Sequence, residues 1–85
     1  MNVDRFTIRA ETLDGNAGLW ASSNSIMELL EIIRKWMIDE ELMYIDIKQP
    51  MIFNEYGRRL GTLCVSKSLW VLTPALKYRV FKRRR

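Results

Sequence analysis

The chain of 85 residues contains no histidine. That removes the side chain most often used as a general base near neutral pH and the commonest metal ligand. It has a single cysteine, Cys64, which excludes an internal disulfide and fits a reducing compartment. Cys64 alternates with Leu63 and Val65, and no basic neighbour stands beside it to stabilise a thiolate, so an inert residue is expected rather than a nucleophile. No run of apolar residues is long enough to cross a bilayer as a helix. Asp4 and Arg5 are followed by a strand-like pattern, not by the basic-then-apolar layout of a signal peptide. A cytoplasmic protein is therefore expected. No acid occurs after Glu55. Residues 1–55 hold ten acids and five bases, net −5, whereas residues 56–85 hold nine bases, net +9. Such asymmetry points to a polyanion or an acidic partner. It is also compatible with the basic half folding against the acidic one.

What is present suffices for a packed core. Apolar residues make up 48% of the chain and include three Trp, three Tyr and three Phe, which excludes a disordered tail. A single domain is expected over 1–81, with 82–85 as a basic tail. The organising stretch is 25–38. At about 100° per residue, Ile26, Leu29, Leu30, Ile33, Trp36 and Met37 fall on one helix face and Glu28, Glu31, Lys35 and Asp39 on the other. Ser25 is placed to cap the helix, with Glu28 at the spacing of a capping box. Asp39, Glu40 and Glu41 oppose the helix dipole and mark its end.

Around this helix the sequence reads as strands. Phe6, Ile8 and Ala10 alternate with Arg5, Thr7, Arg9 and Glu11 over 4–11. Asp14-Gly15 is a hairpin turn, and 17–21 is the returning strand. After the helix, Met43, Ile45 and Ile47 alternate with Tyr44, Asp46 and Lys48, predicting a strand that Pro50 interrupts. Residues 51–53 continue extended, 54–57 turn, 60–66 form a strand, and 69–72 form an apolar run of the buried-strand type. The segment from Thr73 onward has two readings. Thr73 and Pro74 suit a helix start, while alternating Leu76, Tyr78 and Val80 suit a strand. The expected fold is α+β: an antiparallel sheet of about five strands with one amphipathic helix packed on it, in ββαβββ order.

Candidate binding residues concentrate late in the chain. Lys77, Arg79, Lys82, Arg83, Arg84 and Arg85 would collect phosphates without reading sequence. Tyr78 and Phe81 lie among them and could stack on unpaired bases. The same residues also suit an acidic protein surface or a plain solvated tail. Arg58 and Arg59 occupy a glycine-flanked turn that could contact a phosphate backbone, although a solvated hairpin turn explains them more simply. The turn lacks the spacing of a KH loop, and no RRM signature is present. Of the three tryptophans, Trp36 and Trp70 have core explanations. Trp20, after a turn, is the one that suits anchoring a partner, although a core place fits it too. Asp39, Glu40, Glu41 and Asp46 lack the glycine and ligand spacing of a calcium loop, so no metal or cofactor is expected.

The stretch Phe6-Thr-Ile-Arg-Ala-Glu, Asp14-Gly15 and Gly18-Leu-Trp-Ala21, followed by a helix, resembles the opening of HicB-like antitoxin domains. The resemblance covers residues 5–38. It departs from that family by lacking the Pro-Gly segment and third strand before the helix, and no DNA-binding module follows residue 50. It implies a non-enzymatic protein that neutralises a partner. The residues themselves suggest a small non-enzymatic module that engages nucleic acid or a nucleoprotein complex through its basic C-terminal half. The alternative is a protein-binding inhibitor or regulator of the antitoxin or phage anti-defence type.

Overall fold

A computed structural model of the chain describes residues 5–67 and 69–74. Five strands, β1 (Phe6–Glu11), β2 (Gly18–Ser23), β3 (Met51–Asn54), β4 (Arg59–Ser66) and β5 (Leu69–Pro74), form one antiparallel sheet in the order β2-β1-β3-β4-β5. One helix, α1 (Ile26–Asp39), covers one face of the sheet. It links β2 to β3, which run in the same direction on either side of β1. The α+β expectation and the ββαβββ order are the observed ones. No helix among the described residues is long and apolar enough to cross a membrane.

The alternation of β1 fixes which face is covered. Ile8 is fully buried, with Ala21 and Ile52 as its cross-strand partners. Leu29, Ile33 and Met37 bring the helix stripe onto Ile8, Ile47, Ile52, Leu63 and Trp70. The Trp70 indole N–H donates to Met37 Sδ at 3.3 Å. Tyr44 meets the Trp70 ring edge-on, 5.0 Å between centroids. These contacts tie the C-terminal turn of α1 to the far strand of the sheet.

Both helix ends carry recognisable caps. Ser25 Oγ accepts from Glu28 N–H at 3.3 Å. The Glu28 carboxylate turns instead to Ser23, whose buried hydroxyl donates to it and accepts from Ser25 N–H at 3.0 Å. A capping box is thus spread over two serines. At the other end Glu41 adopts φ 56°. Leu42 N–H reaches Met37 O at 2.8 Å and Glu41 N–H reaches Ile38 O at 3.2 Å. This is the Schellman pattern, here without the usual glycine.

Two expectations need correction. Residues 43–48 are not a strand: Tyr44–Asp46 is a single 3-10 turn, and only Ile47 bridges to the sheet, opposite Thr12. The Asp46 carboxylate accepts from Met43 N–H at 2.8 Å, and Asp46 N–H donates to Met43 O at 2.9 Å. These local bonds compete with a ladder. Accordingly Ile47 is 7% exposed while Ile45, on the supposed same face, is 78% exposed. Residues 69–72 are not a buried strand either: among the described residues β5 lies at the edge of the sheet, and it buries Trp70 while exposing Leu69 and Val71. Of the two readings of the segment from Thr73 onward, Thr73 and Pro74 themselves follow the strand one, as the last residues of β5. The expectations for residues 75–85, including the tail at 82–85, lie outside the described residues.

Candidate nucleic-acid interface

The second face of the sheet has no covering layer among the described residues. Strand parity decides what it presents. In β1 it takes Thr7, Arg9 and Glu11, in β2 Trp20 and Ser22, and in β3 Met51 and Phe53. Beyond them come Thr62 and Cys64 of β4 and, across from Cys64, Val71 of β5. Between Ile52 and Phe53 the β3–β4 register shifts. Such a bulge changes the alternation of the longer strand. Leu60 therefore packs with the core, and its neighbour Arg59 stands directly across from Phe53.

At the centre of this face lies Arg9. Its guanidinium sits 5.1 Å from the centre of the Trp20 ring and 5.4 Å from that of Phe53. Both are cation–π distances. Trp20 is 72% exposed. A tryptophan left so open on a strand, in contact with an arginine and not with the core, is the arrangement that stacks planar ligands. The Thr7 and Ser22 hydroxyls are hydrogen-bonded at 2.9 Å and fix the next cross-strand pair. Among the strand residues of this face Glu11 is the one acid. Lys48 Nζ donates to it at 2.7 Å. That bond and the lysine's charge hold the Glu11 carboxyl below its ordinary value, with Arg9 a smaller cause. Arg9, Trp20, Lys48, Gln49 and Met51 line a shallow hollow of about 500 Å³ here.

Cys64 lies on the same face, half-buried. Gln49 Nε2 and Thr73 Oγ1 approach its sulfur at 3.1 and 3.5 Å. Arg58 and Arg59 leave the turn between β3 and β4. Asn54 Oδ1 shapes that turn by accepting from Tyr56 and Arg58 N–H at 2.8 and 2.9 Å, and Gly57 takes φ 84°. Arg58, Arg59 and Lys67 make no ion pair among the described residues. The acids gather elsewhere. Glu28, Glu31, Asp39, Glu40, Glu41 and Asp46 lie on α1 and in residues 40–46 after it, a stretch whose only bases are Arg34 and Lys35. No three potential metal ligands cluster among the described residues.

Of the residues that the sequence points to, Trp20 and Arg59 fall on or beside one surface, and Arg58 adjoins them. Lys77, Tyr78, Arg79, Phe81 and Lys82 to Arg85 are outside the described residues. Sequence reasoning misses Arg9 and Phe53. The parity of β1 already sets Arg9 opposite Ile8, but pairing it with Trp20 requires the hairpin register. Comparison with family models, with curated proteins and with solved structures returned no match.

Proposed function

We propose that this protein binds single-stranded nucleic acid across the open face of the sheet, with the basic second half supplying phosphate contacts. The observation that carries the reading is Arg9 held between Trp20 and Phe53 on a sheet face that none of the described residues covers. Every base has a π-face, so such a platform tolerates any sequence, and unpaired bases are the ones free to stack. Arg59 and Lys48 flank the platform, and the strongest acidic concentration lies on the helix and residues 40–46 after it. The role is binding without chemistry.

The test is fluorescence anisotropy with labelled random-sequence single strands and a duplex of matched length. Single strands are expected to bind more tightly. Trp20→Ala is expected to cost about 1–3 kcal/mol of binding while leaving the thermal midpoint in place. No binding of any nucleic acid at low salt sinks the proposal.

A protein-binding inhibitor is the second reading. It is favoured by Leu69 and Val71, 56% and 45% exposed, which extend the open face as apolar surface. Capture of a protein that survives nuclease treatment, with no affinity for naked nucleic acid, selects it.

A further inference from the structure

Among the described residues, nothing defends the outer edge of β2. Sheet edges are commonly blunted by lysine, proline, a bulge or a covering segment. β2 reads Gly-Leu-Trp-Ala-Ser-Ser, without charge or proline, and its register with β1 runs unshifted along the whole strand. No strand pairs with its outer side among the described residues.

The direction of its backbone groups follows from two bonds. Thr12 N–H donates to Ala17 O at 2.9 Å, in the same register as the β1–β2 ladder. Bonded and non-bonded pairs alternate in an antiparallel ladder. Leu19, Ala21 and Ser23 are therefore bonded to β1, and the N–H and C=O groups of Gly18, Trp20 and Ser22 point outward. The same alternation puts the Glu11 carbonyl on the far side of β1, where it accepts from Lys48 N–H at 2.9 Å.

This outward set is symmetric about Trp20: Gly18 lies two residues before it and Ser22 two residues after. We infer that β2 pairs antiparallel with β2 of a second copy of this chain, Trp20 opposite Trp20, joining the two sheets into one. In that register Gly18 faces the second copy's Ser22, and every outward N–H and C=O of the strand is bonded. An isologous contact requires such self-complementarity; a foreign strand does not. No charge on β2 opposes the approach. The two Trp20 rings meet on the open face, each backed by its own Arg9, and on the other face Leu19 meets the second copy's Ala21. One strand pair is small for an obligate interface, so association is expected to rise with concentration.

Sedimentation equilibrium of the full chain without nucleic acid tests this apart from the binding proposal. The mass is expected to rise from the 10.1 kDa of one chain toward twice that value. Ser22→Pro removes an outward N–H at an edge position where proline is tolerated. It is expected to hold the mass at one chain with an unchanged circular dichroism spectrum. A second readout does not depend on that variant. In a Cys64→Ser background, Trp20→Cys places two cysteines at directly opposite positions, about 5.5 Å apart between Cα atoms, within disulfide reach. Mild oxidation is expected to cross-link Trp20→Cys and not Gly18→Cys, which faces Ser22. A single-chain mass at every concentration overturns the inference. So does a dimer that withstands Ser22→Pro, or equal cross-linking at both positions.

Discussion

Ser23 does more for the helix start than its position outside α1 suggests. Its buried hydroxyl accepts from Ser25 N–H and donates to the Glu28 carboxylate, while Ser25 makes one bond of 3.3 Å to Glu28 N–H. Losing a cap serine typically costs about 1 kcal/mol, and up to about 2 when several groups depend on it. Ser23→Ala is therefore expected to lower stability more than Ser25→Ala in urea denaturation; the reverse order would show Ser25 to be the principal cap. In the core, Ile33 is fully buried between helix and sheet. Ile33→Ala is expected to cost roughly 2–4 kcal/mol, and Met27→Ala, at an exposed position of the same helix, less than about 0.5. Equal denaturation midpoints for the two variants would contradict the assigned face. Asp14 is a third case. The Thr12 hydroxyl, donating at 2.6 Å, and Asn16 N–H hold its carboxyl below the ordinary 3.8. A carboxyl so lowered stabilises the fold above the unfolded-state value, and that contribution disappears as pH falls through the folded-state value. Thr12→Val is thus expected to flatten the acid limb of the thermal midpoint below about pH 4. An unchanged limb would show that Asp14 contributes nothing there.

At the level of elements, the β4–β5 hairpin depends on one glycine. Gly61 stands opposite Pro74, and a Cβ there would run into the Thr73 carbonyl oxygen. That obstacle is backbone, which cannot swing away as a side chain can. Leu63 N–H donates to Pro50 O, on the β3 side, so by alternation the amides of Thr62 and Cys64 face β5. Gly61→Ala is expected to loosen β5 from β4, read as faster amide exchange at Thr62 and Cys64 than in β1; equal protection in both strands would show that the hairpin accommodates the methyl. The hairpin also illustrates what sequence can and cannot convey. Strand alternation places Ile8 inward and Arg9 outward, and helical periodicity places Leu29, Ile33 and Met37 together; both are local patterns that the fold retains. The same reasoning misreads 43–48, because Met43, Ile45 and Ile47 mimic strand alternation while Asp46 bonds the backbone into a turn. It misreads β5, because an apolar run does not say whether both faces are covered. The Trp20, Arg9 and Phe53 platform depends on the register of three strands, which one-strand patterns cannot supply. Trp20 alone is within reach, through its place after the hairpin turn.

Across the whole molecule, charge is arranged by layer as well as by sequence. The helix and residues 40–46 after it carry six acids against two bases, while Arg9, Lys48 and Arg59 lie on or beside the open sheet face. Six further bases, Lys77, Arg79 and Lys82 to Arg85, follow in sequence without an acid among them. If the open face stacks bases and this segment holds phosphates, the two contributions separate by experiment. Deleting residues 82–85 removes charge and no apolar residue, so the thermal midpoint is expected to stay in place. Binding is expected to weaken equally for all sequences, because phosphate contacts carry no base information. The slope of log K against log salt is expected to flatten by about 0.7 for each single-strand phosphate that the shortened chain no longer neutralises. Trp20→Ala is expected to do the opposite, lowering affinity while leaving the salt slope where it was, since stacking releases no counterion. A truncated chain that binds with the parent's affinity and slope would remove the basic tail from the interface. A Trp20→Ala variant that binds like the parent would remove the sheet face, and with it the reason for preferring single strands.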